Sequence, residues 1–212
     1  MSYIQFEKTL MTNLEEALPK EILRSNRSGA YSCSTIVDCN TRKYHGLFVM
    51  PIEQFGGVNH ILLSSLDETL IQHEKEFNLG IRCYGKVYEP RGHKYIVDFQ
   101  FDKECVTEFR VGGMIFRKSM IFVKGKEQLL IKYTLVQAHS QTSLRLKPFL
   151  AFREVHTLTQ QNPEADSNYG IVDNGCSYKM YEGFPELHIQ ISKENEYFHN
   201  PDWYKDVVYS DE

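Results

Sequence analysis

Polar and apolar positions alternate with a period of two along most of this chain. Tyr95, Val97, Phe99 and Phe101 form one such run, and Leu129, Ile131, Tyr133 and Leu135 form another. Each has polar residues on part of the opposite face, the pattern of antiparallel strands with one wet side. Strands are expected near 21–24, 31–38, 44–52, 58–63, 67–73, 78–84, 94–101, 104–111, 113–123, 127–137, 143–152, 169–173, 176–182 and 186–192. Compact turn signals separate several of them at Gly112-Gly113, Lys124-Gly125-Lys126 and Asp173-Asn174-Gly175, the last holding the strongest hairpin cue in the chain. A helical period appears between Phe6 and Leu18, where Phe6, Leu10, Leu14 and Leu18 recur every four residues before Pro19. Thr12 and Asn13 mark where that helix would break. So many short strands predict an all-β protein, and more than the roughly seven of a small sandwich predict two large antiparallel sheets. The polar stretch Gln160–Asn168 reads as a loop inside one domain spanning residues 1–212.

Composition narrows the partners. Aromatics reach 13%, with 13 Tyr and 13 Phe against a single Trp, which favours pleated, half-buried surfaces. The formal net charge is −4, so there is no basic field for nucleic acid or for an anionic membrane surface. No apolar run is long enough to span a bilayer, and the N-terminus lacks the features of a signal peptide. The five cysteines are odd in number and scattered, with no Cys-x-x-Cys pair. Metal or dithiol chemistry is therefore not expected, and free thiols in a reducing cytoplasm are.

Chemistry concentrates in Asn40-Thr41-Arg42-Lys43-Tyr44-His45-Gly46, which runs into the apolar Leu47-Phe48-Val49-Met50. Read as extended chain, Arg42 and Tyr44 share one face and Lys43 and His45 the other. Gly46 admits a close approach by another backbone or a ligand. On these residues alone a basic edge strand with a satisfied histidine competes evenly with a site. Asp67 and Glu68 are adjacent in a strand, so their carboxyls leave on opposite faces and do not flank one glycosidic bond. Glu89-Pro90-Arg91-Gly92-His93 reads as a charged, solvated turn. No Gly-x-Ser-x-Gly elbow, phosphate-cradling glycine loop or His-x-x-x-His pair is present.

The flanks sharpen the picture. Upstream stands Glu21-Ile22-Leu23-Arg24-Ser25-Asn26-Arg27-Ser28-Gly29-Ala30-Tyr31, and downstream Leu62-Leu63-Ser64-Ser65-Leu66-Asp67-Glu68-Thr69-Leu70. With the Asn40–Gly46 run these resemble the N-terminal domain of bacterial and archaeal glycogen debranching enzymes, the amylo-α-1,6-glucosidase type. The chain departs from that pattern at Ile22, where a tryptophan is usual, at Arg27 and Ala30, where glycines are, and at Asp67, where a glutamate is. The resemblance implies a β-supersandwich of the galactose mutarotase type. It also carries over Arg153 and His156 from a Pro-x-x-x-x-Arg-x-x-His pattern that starts at Pro148. These two share a face only if the strand has ended in a turn; an Arg at a strand end paired with a carboxylate is the plainer alternative.

The residues that the resemblance sets against substrate or a domain interface are Asn40, Arg42, Tyr44, His45, Arg153 and His156. It implies that the hydrolytic carboxylates lie in a C-terminal (α/α)6 barrel which this chain lacks, so no catalytic residue, metal or cofactor is expected here. The implied partners are an α-glucan such as glycogen and that catalytic barrel. With the barrel missing, Trp203 and Tyr204 are expected to be loosely held. Two alternatives stay open: a domain that contacts protein only, and a mutarotase-like epimerase using His45 or His156 with a glutamate.

Overall fold

The structure, a computed structural model, describes residues 3–212. In chain order the strands are β1 (Ile4–Glu7), β2 (Glu21–Ser25), β3 (Tyr31–Thr35), β4 (Gly46–Ile52), β5 (Val58–Gln72), β6 (Lys75–Asn78), β7 (Arg82–Tyr84) and β8 (Val87–Glu89). They continue as β9 (Ile96–Phe101), β10 (Cys105–Val111), β11 (Met114–Phe122), β12 (Leu129–Gln137), β13 (Ser143–Glu154), β14 (Gly170–Val172), β15 (Gly175–Tyr178) and β16 (Leu187–Gln190). Two short helices, α1 (Lys8–Thr12) and α2 (Leu14–Ala17), fall between β1 and β2. With 48% of the chain in strands and 8% in helices, the all-β expectation holds.

Two large sheets carry the fold. One runs β1-β9-β10-β11-β12; the other runs β13-β5-β4-β3-β2 with β6 beside β5. Small sheets β14-β15-β16 and β7-β8 are added to them. The alternation in β11 is regular: Met114, Phe116, Lys118, Met120 and Phe122 are buried, and the residues between them are less so. From the other sheet come Phe48, Leu62 and Leu70, with Phe48 stacked on Phe122 at 5.4 Å between ring centroids. The Gly112-Gly113 hairpin forms as expected, both glycines taking the positive φ that such a turn requires.

Several boundaries differ from expectation, each for a local reason. The stretches 58–63 and 67–73 are one strand, β5: Ser65 and Leu66 pair with Phe149 and Pro148 of β13, and the register shifts past Ser64 without ending the strand. The stretch 78–84 is split between β6 and β7. β6 turns back on β5 through His73 and Glu74, both at positive φ without a glycine to announce them. The helix breaks at Asn13, whose side chain accepts from Glu15 N–H and donates to Glu16. Phe6 lies in a strand, paired with Phe99. A register shift opposite Glu108 and Phe109 omits Val97 from the pairing, so Ile96 joins the core in its place. A similar shift at the end of β12 omits Val136, which is exposed, as is Leu135 beside it.

A cluster of charged side chains crosses the sandwich. Lys118 Nζ lies 2.7 Å from Glu68 Oε1 of the opposite sheet and 3.0 Å from Asp38 Oδ2, and the Tyr133 hydroxyl donates to Glu68 at 2.6 Å. Burial works against the ammonium, yet Asp38 and Glu68 together raise its pKa above the ordinary lysine value. Burial pushes the Glu68 carboxyl up; Lys118 opposes that and Asp38 adds to it. Removing one member of such a group leaves an uncompensated buried charge. Lys118→Met is therefore expected to lower stability by about 3–5 kcal/mol, read as a shift in urea midpoint. Lys118→Met combined with Glu68→Gln should recover part of the loss.

The loop Glu89–His93 is a solvated rim only in its first part: Glu89 and Arg91 are exposed, and Gly92 and His93 are buried. Gly92 presses on Leu79, where a Cβ would fall 2.0 Å from its backbone, and His93 is buried with Nδ1 unpartnered. Burial, then Lys94 and Arg91, lowers the His93 pKa to about 4. A histidine depressed in the fold supports the fold above its unfolded pKa and withdraws that support as pH falls toward the folded value. The unfolded chain takes the proton first. His93 should thus cost about 2 kcal/mol of stability between pH 7 and pH 5. Urea melts at both pH values should show that part of the drop missing in His93→Gln.

Candidate functional site

The segment before β4 is a turn, and the expectation of an extended chain through it is corrected. His45 N–H closes onto the Arg42 carbonyl at 3.0 Å, and the strand begins only at Gly46. Gly46 lies hard against β5 and its own strand. A Cβ there would come within 2.8 Å of both Ile61 Cγ2 and Val49 Cγ2. The His45 ring folds back under the turn, and its Nδ1 accepts from Thr41 N–H at 3.1 Å.

The remaining polar groups of the turn are tied from four directions. Asn40 Nδ2 donates to the Ser64 carbonyl at 3.0 Å, and its Oδ1 accepts from Ser34 Oγ at 2.8 Å, which bridges β5 and β3. Arg153 Nη2 donates to the Lys43 carbonyl at 2.6 Å, while Nη1 donates to the carbonyls of Thr157 and Glu154. The Tyr31 hydroxyl donates to the Tyr44 carbonyl. The segment reaching Glu212 closes the last side. Asp211 N–H donates to the Thr41 carbonyl, Lys43 N–H donates to the Glu212 carboxylate, and the Lys43 ammonium pairs with it at 3.1 Å.

What this leaves facing outward is Tyr44. It is 39% exposed and meets His156 edge-on at 5.5 Å between ring centroids. Its hydroxyl lies 3.2 Å from His156 Nδ1. β13 ends at Glu154 and the chain turns at Val155 and His156, the geometry in which Arg153 and His156 serve the same place. Of the six residues named from sequence, Tyr44, His156 and Arg153 are brought together, with Arg153 buried as the tie beneath. Asn40 and His45 point inward. Arg42 stands on another side, where its Nε pairs with Glu21 at 2.7 Å.

Sequence reasoning missed Glu21, Tyr31 and Glu212 as partners of this turn. Glu21 and Tyr31 lie within the flanking stretch that carries the resemblance, but nothing in their spacing shows that they reach the turn. Tyr204, expected to be loose, packs on Phe149 at 4.0 Å and accepts from Lys147.

Glu21, Cys33 and His45 place ligand-type atoms within 4.8 Å of one another. Their chemistry does not fit a metal. Because Nδ1 accepts from Thr41 N–H, the neutral ring carries its hydrogen on Nε2, 3.2 Å from Glu21 Oε1. A metal on Nε2 needs the opposite tautomer, which sets two N–H groups against each other. Burial and the nearby Glu21 charge raise the Cys33 pKa, so the thiol stays protonated. Burial likewise lowers the His45 pKa, with Glu21 offsetting part of the shift.

The turn, its inward anchors and its outward Tyr44–His156 pair lie within residues 20–212, which match a family model described as glycogen debranching enzyme N terminal. The chain belongs to that family. No curated protein and no solved structure matches it significantly. In this glycogen debranching enzyme N-terminal chain, the family stretch around Asn40–Gly46 is thus a locked turn, and Arg153 is the tie that joins it to the end of β13. Arg153→Met frees the Lys43 and Thr157 carbonyls at once. It should lower stability by about 3 kcal/mol, measured by urea unfolding.

Proposed function

We propose that this chain is a non-catalytic domain of a glycogen debranching enzyme. It holds an α-glucan and supports a catalytic (α/α)6 domain during α-1,6-glucosidase breakdown of glycogen in the cytoplasm. The observation that carries this reading is the exposed Tyr44–His156 pair on a turn whose backbone is held from several elements. An aromatic face with a fixed phenol and imidazole suits the C–H face and hydroxyls of a sugar. A neutral glucan also suits a chain without a strong charge field, and five free cysteines suit a reducing compartment.

Contact with protein alone is the second reading. It is favoured by Ile171 of β14 and by Phe198, 86% and 80% exposed. An epimerase using His45 is disfavoured, because that ring is 1% exposed and directed at Glu21.

Retention of the chain in native gels containing glycogen separates the readings. The wild type should be retarded, and Tyr44→Ala and His156→Ala should each weaken retention about tenfold, near 1.4 kcal/mol. Retention unchanged in both variants removes Tyr44 and His156 from glucan contact. No retention, with tight binding to a debranching catalytic domain, selects the protein-contact reading.

A further inference from the structure

Beside His156 the surface opens into a groove of about 680 Å³. Its floor is aromatic. Phe184 lies at the centre, with ring centroids 4.9 Å from Phe55, 5.4 Å from His60, 5.5 Å from Phe152 and 6.1 Å from Tyr181. One wall is the loop after β13. There Gln160 and Gln161 are exposed, and the Asn162 amide donates to the Tyr181 hydroxyl at 3.1 Å.

The floor is placed at a conformational cost. Phe152 sits at φ 45° inside β13, where the pairing with β5 is interrupted between Leu150 and Arg153. A buried aromatic at positive φ costs about 1–2 kcal/mol. Such outliers persist where the surroundings over-determine them, and they cluster at ligand sites. The interruption turns Phe152 into the floor and aims Arg153 at the Lys43 carbonyl. The facing turn uses Gly183 at φ 83°, and a Cβ there would meet the Phe55 ring at 3.1 Å.

His60 adds an unused polar atom. Its Nδ1 donates to the Val58 carbonyl at 2.8 Å, so the neutral ring presents Nε2 as a lone pair. The residue is 6% exposed and lines the groove. It offers an acceptor on an aromatic floor, with primary amides above it.

We infer that this groove is a second glucan subsite, in which a glucose unit of an α-1,4-linked chain lies on Phe55 and Phe184. One hydroxyl donates to His60 Nε2 and others meet the Gln160 and Gln161 amides. The reasons are chemical. Flat rings suit a sugar face, acceptor and amide groups suit hydroxyls, and a volume of this size holds a short oligomer. The inference rests on the glucan reading above and extends it along the surface from Tyr44.

The test uses the full chain and a linear α-1,4-linked glucose heptamer. Phe55→Trp in a Trp203→Phe background places the sole indole in the groove, since the chain has one tryptophan. Its emission should change saturably with the heptamer and not with a β-1,4-linked glucose oligomer. By calorimetry, Phe55→Ala should weaken heptamer binding at least tenfold. Phe55 is 36% exposed and packs on Phe184 and His60, so the urea midpoint is read beside binding. Phe55→Leu, which keeps an apolar side chain without the flat ring, should weaken binding as strongly with a smaller change in midpoint. His60→Phe, which keeps an aromatic ring without the acceptor, should weaken binding about fivefold.

Heptamer binding unchanged in Phe55→Ala, or no heptamer binding by the wild type, overturns the groove. The Tyr44 reading then still stands if glycogen retention is lost in Tyr44→Ala. Indole emission that follows protein concentration in place of sugar marks the groove as a contact between copies, and also overturns it.

Discussion

A single ammonium group held between two sheets constrains the whole molecule. Lys118 reaches out of β11 into the sandwich, where Glu68 of β5 and Asp38 of the β3–β4 turn meet it. Dry surroundings make the Lys118 and Glu68 charges costly alone, so they are tolerable only together, and Asp38, half-buried, adds a second carboxylate from the rim. Side chains alternate faces along a strand, so a one-residue slip of β11 against its neighbours would turn Lys118 outward and strand Glu68. The arrangement therefore admits one relative placement of the sheets. Asp38, at φ 59°, lies two residues before Asn40, so the interior constraint reaches the turn that carries Tyr44.

That turn shows how a surface group can be fixed without being buried. Its donors and acceptors are taken by β2, β3, β5, β13 and the segment ending at Glu212. A loop with this many long-range ties has little freedom to collapse when Tyr44 loses a contact. The cations divide the work. Arg153, buried, acts on carbonyl oxygens. Arg42, exposed, acts on a carboxylate that His45 also faces. Asn26 plays a matching part at the opposite end of β2. Its side-chain oxygen accepts from Ser28 and Ala30 N–H, its amide donates to Lys126, and its carbonyl accepts from Gly125 N–H. That ties the β2–β3 loop to the β11–β12 hairpin.

The sheets were legible because period-two burial leaves a direct trace, as in β10 and β11. Turns were legible where glycine marks them, at Gly112-Gly113 and Asn174-Gly175, and illegible where His73 and Glu74 make the same bend. Arg27 illustrates the limit from the other side. It stands where the family pattern has glycine and still takes φ 63°, so the loop geometry survives the loss of its marker, held by Asn26. In the turn before β4, a polar cluster was legible and the directions of its side chains were not. His45 and Tyr44 are neighbours in sequence, yet one is 1% exposed and the other 39%. The difference comes from Thr41 N–H, Glu21 and Arg153, and no local pattern encodes such distant partners. The interruption at Phe152 left no trace at all, since β13 reads as an ordinary strand.

The acids clarify the division between scaffold and chemistry. A glycosidase needs two carboxyls some 5–10 Å apart across one bond, free to donate and accept protons. Here Asp67 is held by both terminal nitrogens of Arg82, Glu68 by Lys118 and Tyr133, Glu21 by Arg42, and Glu212 by Lys43. A carboxylate with a committed cation is a structural tie. Each pairing also fixes a different element: Arg82 draws β7 onto β5, Lys118 draws sheet to sheet, and Lys43 holds the final segment. The same commitments make the wall rigid and occupy all four of these carboxylates.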